Sequence, residues 1–138
     1  MLSKLRSLLR RPPPPPPLLG RPRVRREKSY SADSGYVYQY FHEGYRETTL
    51  DGELGAEYIF DVSSDRKARF RTAVFLGNRV VEQWQEENGR ELNMTERYAL
   101  VKMTLFEALD EREGSEEAAL VVRAGVADIS RHAESLDF

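Results

Sequence analysis

Three patterns in this chain predict an α+β fold in which an antiparallel sheet packs against one long helix. Residues 93–112 carry the longest helical periodicity, and residues 36–76 read as three to four strands separated by turn residues. The best strand pair also sorts its apolar and charged side chains onto opposite faces. A chain of 138 residues suits one domain. The division expected is a basic, proline-rich disordered tail and linker over 1–34, then a single α+β domain over 35–138.

Charge follows the same division. Residues 1–28 hold nine Lys or Arg against one acid, Glu27, for a net charge of +8, while residues 29–138 carry −10. The overall value of −2 therefore hides a basic tail on an acidic body. An acidic body disfavours duplex nucleic acid, whose affinity comes mainly from phosphate neutralisation. A basic tail permits contact with an anionic membrane surface, a polyanion or the protein's own acidic face. The chain has no cysteine, which removes disulfides, thiolate zinc sites, iron–sulfur clusters and a Cys nucleophile, and fits a reducing, cytoplasmic setting. No apolar run approaches the ~20 residues of a transmembrane helix.

Residues 1–11, if helical, place Leu2, Leu5, Leu8 and Leu9 on one face and Lys4, Arg6, Arg10 and Arg11 on the other. A disordered tail, a reversible interfacial anchor with those four cations as the tether, and an organelle transit peptide all remain open. The six prolines Pro12–Pro17 favour a stiff polyproline II spacer. Arg10, Pro13 and Pro16 also match an SH3-type ligand spacing, which any Arg beside six prolines would satisfy.

In the body, Tyr36, Tyr38 and Tyr40 alternate with Val37, Gln39 and Phe41, as in a strand over 36–42. Glu43-Gly44 then reads as a turn and Tyr45–Leu50 as the partner strand. Asp51-Gly52 signals a tight type I′ turn. Ala56–Val62 and Ala68–Leu76 form the best pair, and a turn over 63–67 would set Asp61 opposite Arg69 and Phe60 opposite Phe70. Tyr58, Phe60 and Val62 then share the helix-covered face with Phe70, Thr72, Val74 and Leu76.

Val80, Val81 and Trp84 suggest a short helix capped by Asn78 and ended at Gly89. Gly77-Asn78 as a hairpin turn into a further strand is the alternative, which the polar cluster of Glu82, Gln83, Gln85 and Glu86 disfavours. The long helix opens with Asn93 and Glu96 in capping-box spacing, runs on Tyr98, Val101, Leu105 and Leu109, flanked by Ala99, Met103 and Phe106, and meets a stop at Gly114. Residues 118–122 read as an edge strand or a helical turn. Val126, Ile129, Ala133 and Leu136 predict a short C-terminal helix.

Little here spells catalysis. Two histidines, His42 and His132, cannot build a multi-imidazole metal site, and the carboxylate pairs flank helix ends and loops rather than an apolar pocket. The glycines match neither a P-loop nor a dinucleotide fingerprint, and no serine sits in a nucleophile elbow. No catalytic residue, cofactor or metal ligand is assigned. The most suggestive surface is aromatic: Tyr36, Tyr38, Tyr40, Tyr45 and Arg46 suit an interaction patch, or simply the core beneath the helix.

The sequence thus favours a non-enzymatic binding or accessory module that meets a protein partner or its own copy, with peripheral membrane contact through the tail. A small enzyme using Tyr, Arg, Glu and His42 between sheet and helix is the alternative. A single-strand nucleic-acid reader follows at a distance, and requires Tyr38 and Tyr40 to be exposed.

Overall fold

A computed structural model describes residues 14–112 and 120–138. The amphipathic segment 1–11 with Lys4, Arg6, Arg10 and Arg11, and the helix stop at Gly114, lie outside the described residues. The fold is α+β, as expected, and the sheet is wider than the three to four strands read from sequence. Five strands line up in chain order: β1 (Lys28–Ser31), β2 (Val37–Leu50), β3 (Glu53–Ser63), β4 (Phe70–Gly77) and β5 (Leu120–Ala124). The first four pair antiparallel and β5 joins β4 in parallel. Helices α1 (Asn78–Asn88) and α2 (Met94–Glu111) form the crossover between β4 and β5, and α3 (Val126–Ser135) closes the chain. None of the helices among the described residues is long and apolar enough to cross a membrane.

Residues 43–44 do not turn the chain. One 14-residue strand runs straight through them, with a bulge between His42 and Gly44. Gly44 adopts φ +128°, a conformation that costs glycine little and other residues much. The extra residue flips the side-chain alternation, so Tyr38, Tyr40 and His42 before it share a face with Tyr45 and Glu47 after it. Their cross-strand partners Val62, Phe60, Tyr58 and Ala56 settle that face as the helix-covered one.

The Asp51-Gly52 turn forms as read, with φ of 51° and 81°. The β3–β4 register differs by two residues: Asp61 faces Arg71 and Phe60 faces Thr72. Side chains inside the loop explain the longer turn. Ser63 Oγ accepts from the Arg66 amide at 2.7 Å, and Asp65 Oδ1 accepts from the Lys67 and Ala68 amides at 2.8 and 2.9 Å. Those donors hold the Asp65 carboxyl below its usual range. A slip of two preserves the faces, so the apolar and charged sides fall as expected.

The core lies between the sheet and the three helices, around Tyr38, Phe60, Val62, Val74, Leu105 and Ile129. The capping box at Asn93 and Glu96 forms in both directions. The buried stripe of α2 includes Leu100 and Thr104, residues outside the periodic set read from sequence, while Ala99 and Met103 are only half-buried. Packing against α3 as well as the sheet broadens the stripe, and Thr104 enters the core because its hydroxyl donates to the Leu100 carbonyl at 3.0 Å. The helix ends at Glu111, where Arg112 turns extended.

β1 falls inside the stretch 1–34 read as tail and linker, pairing Lys28 with Tyr40 and Tyr30 with Tyr38. Before it, residues 18–27 form a strap along the β2 edge, fastened where Leu19 and Tyr45 exchange backbone hydrogen bonds of 2.7 and 2.9 Å. Long-range partners that composition does not display therefore order this basic segment.

Candidate functional site

The bulge and the strap together create the most distinctive cavity of the described residues. Its volume is about 480 Å³, within the range of small-ligand sites. Tyr40 and His42 of β2 and Tyr98 of α2 form its aromatic wall, Pro22 and Val24 of the strap close it, and Arg23, Arg26 and Lys28 line it with positive charge. The His42 and Tyr98 rings lie 4.5 Å apart, and Phe60 supports both from below. Lys102, one helical turn beyond Tyr98, holds its Nζ 5.7 Å from the Tyr98 ring centre and 5.8 Å from that of Phe106.

The strap is locked from the opposite side of the sheet. Arg25 stacks over Phe41 at 3.7 Å while its guanidinium donates to Glu43 at 2.8 Å and to Asp61 at 2.7 Å. One residue thus faces the carboxylates, and its neighbours Val24 and Arg26 face the cavity. Alternation along an extended segment divides the two tasks.

The cavity lining is cationic. Elsewhere in the body Arg46, Arg66, Arg69, Arg90, Arg123 and Arg131 each stand within 4 Å of a carboxylate, whereas Lys67, Arg71, Arg79 and Arg97 have none at that distance among the described residues. Among the described residues, Arg23, Arg26, Lys28 and Lys102 form no such pair, and no acidic side chain lines the cavity. Burial chiefly lowers the pKa of Lys102, and the charge of Lys28 adds to that. Burial likewise pushes His42 down, opposed by Glu43 and assisted by Lys28 and Lys102, so its ring stands neutral at pH 7. His42 Nε2 is itself covered and without a hydrogen-bond partner, leaving the ring face as its contribution. Burial raises Tyr98 to about 12.

The residues singled out from sequence scatter. Tyr38 and Tyr40 are 0% and 2% exposed, part of the core, whereas Tyr36 is 44% exposed at the sheet margin. This burial removes the exposed tyrosine row that base stacking requires. Tyr45 lines a second cavity of about 460 Å³ at the far end of the sheet, with Glu47, Tyr58, Met94 and Arg97. Arg46 lies on the opposite sheet face, its Nε 3.5 Å from Glu57. His42, named for the enzyme alternative, and the nearby carboxylate of Glu47 line different cavities.

Sequence reasoning missed Arg23, Arg26, Lys28, Tyr98 and Lys102 as site residues. The i, i+4 spacing of Tyr98 and Lys102 was legible, and so was the basic run before Ser29, but nothing local joins the two. Among the described residues no group of three or more His, Asp or Glu is placed to hold a metal ion. Set against models of known protein families, curated proteins and solved structures, the chain matches none of them, and the cavity is interpreted from its own chemistry.

Proposed function

We propose that this protein is a non-enzymatic binding module that receives an anionic group of a partner in the cavity between the strap, β2 and α2. One observation carries this reading: three cations, Arg23, Arg26 and Lys28, line a partly apolar cavity with Lys102 close by, none of them paired with a carboxylate among the described residues, on a body that is otherwise acidic. Gathering like charges costs energy, and an anion entering the cavity relieves it. A protein partner is the favoured bearer of that group. The tail cations Lys4, Arg6, Arg10 and Arg11 serve in this proposal as a peripheral tether to a membrane surface, and a cytoplasmic setting is part of the same reading.

Amide chemical shifts of the full chain, followed during titration with inorganic phosphate at two salt concentrations, test the cavity. The expected result is a salt-sensitive set of shifts centred on Lys28, Tyr40, His42 and Tyr98, absent in the Arg26→Gln/Lys28→Gln variant. Shifts spread evenly over the basic residues, with no centre at the cavity, would sink the proposal. Sedimentation with anionic vesicles tests the tether: binding should fall when Lys4, Arg6, Arg10 and Arg11 are all replaced by Ser.

A further inference from the structure

The cavity walls say more about its ligand than a negative charge does. A bare inorganic anion would satisfy the cations and leave the apolar lining of Tyr98, His42, Pro22 and Val24 against water. A flexible aliphatic acid would fill the space between strap and rings poorly. The wall is built of rings whose planes differ by 38° and whose centres lie 4.5 Å apart, and Pro22 and Val24 stand on the strap side as apolar cover. The space left, about 480 Å³, admits a single planar ring with a charged substituent.

Position separates the two recognition elements. The rings come from the strand and the helix, which the core holds rigid, while Arg23 and Arg26 come from the strap and Lys28 from the first residue of β1. A ring placed against Tyr98 and His42 would project its substituent toward the strap cations. Guanidinium groups suit this task, because their paired N–H donors match the oxygens of phosphate or carboxylate.

We infer that the cavity selects a planar aromatic ring bearing a phosphate or carboxylate, held between Pro22 and Val24 of the strap and the wall that Tyr98 and His42 form, with Arg23, Arg26 and Lys28 on its anionic group. This inference rests on the anion-binding reading above and adds the ring as the selective feature. The source of the ring, a free metabolite-sized molecule or an aromatic side chain carrying phosphate on a partner, shares the same chemistry.

Calorimetric titration of the full chain with phenyl phosphate, isopropyl phosphate and inorganic phosphate tests it. Stacking of one ring on aromatic side chains is worth about tenfold or more in affinity, so phenyl phosphate should bind at least about tenfold more tightly than either comparator. Tyr98→Leu should erase that advantage, so that phenyl and isopropyl phosphate bind alike. The exposed-residue double variant Arg23→Gln/Arg26→Gln, which leaves the core untouched, should weaken all three phosphates together.

Equal affinities for phenyl and inorganic phosphate would overturn the ring inference while the anion site stands. Failure of every phosphate to bind would overturn both. A phosphotyrosine peptide compared with phenyl phosphate then assigns the source: tighter binding of the peptide places the ring on a protein partner, and equal or weaker binding points to a free ligand. Each of these last two outcomes supports an aromatic anion.

Discussion

At the scale of single residues, Gly44 controls how the strap meets the sheet. A Cβ at this position would stand 2.7 Å from the Leu19 carbonyl oxygen and 3.1 Å from Leu18 Cβ, in addition to the strain of φ +128°. Gly44→Ala is expected to cost about 1–3 kcal/mol and to loosen the strap. Denaturant midpoints measure the first effect, and faster tryptic cleavage after Arg23, Arg25 and Arg26 measures the second. His132 offers a different test. It is 4% exposed, its Nε2 lacks a hydrogen-bond partner among the described residues, and Glu107 Oε2 stands 3.8 Å away with Arg131 and Asp128 nearby. Burial lowers its pKa below the ordinary value, as it does for His42. The unfolded chain therefore takes up protons at a higher pH than the folded one. Stability from these groups is fully present above about pH 6.5 and is lost as pH falls through the depressed folded values. Urea midpoints measured across that window should fall with pH, and His132→Gln should flatten the slope. A slope unchanged in that variant would remove His132 from the account.

Elements succeed or fail on their terminal contacts. The Asn93 side chain accepts the Glu96 amide at 2.8 Å, and the Glu96 carboxylate returns a bond from the Asn93 amide at 3.1 Å while also holding both arms of Arg90. Asn93→Ala is expected to cost about 1 kcal/mol in thermal or denaturant unfolding. This box was legible because its partners are three residues apart. β1 was not, because its support is distant: the Tyr30 hydroxyl donates to Asp110 at 2.7 Å, the Asp33 amide donates to the same oxygen at 3.0 Å, and the Tyr30 ring stacks on Phe106 at 4.1 Å. Burial first, then Asp110, pushes the Tyr30 hydroxyl up to about 12, so it remains a donor at every physiological pH. Tyr30→Phe should cost about 1 kcal/mol and accelerate amide exchange across residues 28–31 more than in β3. Uniform exchange through the sheet would show that β1 does not depend on this clamp.

For the whole molecule, the extent of the basic N-terminal segment decides how far the fold reaches. A chain beginning at residue 14 keeps the strap and β1. One beginning at residue 35 loses both, uncovering the edge of β2 and the apolar wall of the cavity. The shorter chain is expected to melt lower than the one beginning at residue 14 by about 5 °C or more, and to self-associate. Comparable melting of both truncations would mean that the strap adds nothing to the fold. Charge explains why the segment docks at all. Residues 18–27 are strongly basic, and Glu43 and Asp61 present carboxylates beside Phe41, so Arg25 gains an apolar face and two anionic partners together.

The sequence by itself determined the elements whose causes are local: the Asp51-Gly52 turn, the capping box of α2, the period-two faces of β3 and β4, and the C-terminal helix. These depend on residues within one turn or one hairpin of each other, where spacing and chemistry suffice. Tertiary structure alone decided that residues 43–44 form a bulge, that a basic linker supplies an edge strand and a strap, and that Tyr38 and Tyr40 belong to the core. It also brought Arg23, Arg26 and Lys28 to Tyr98, about 70 residues away in the chain. Whether a tyrosine faces core or solvent depends on which sheet face the helices cover. The position of a cation depends on which edge the strap pairs with, and in both cases the determining partner is remote in sequence and adjacent only after folding.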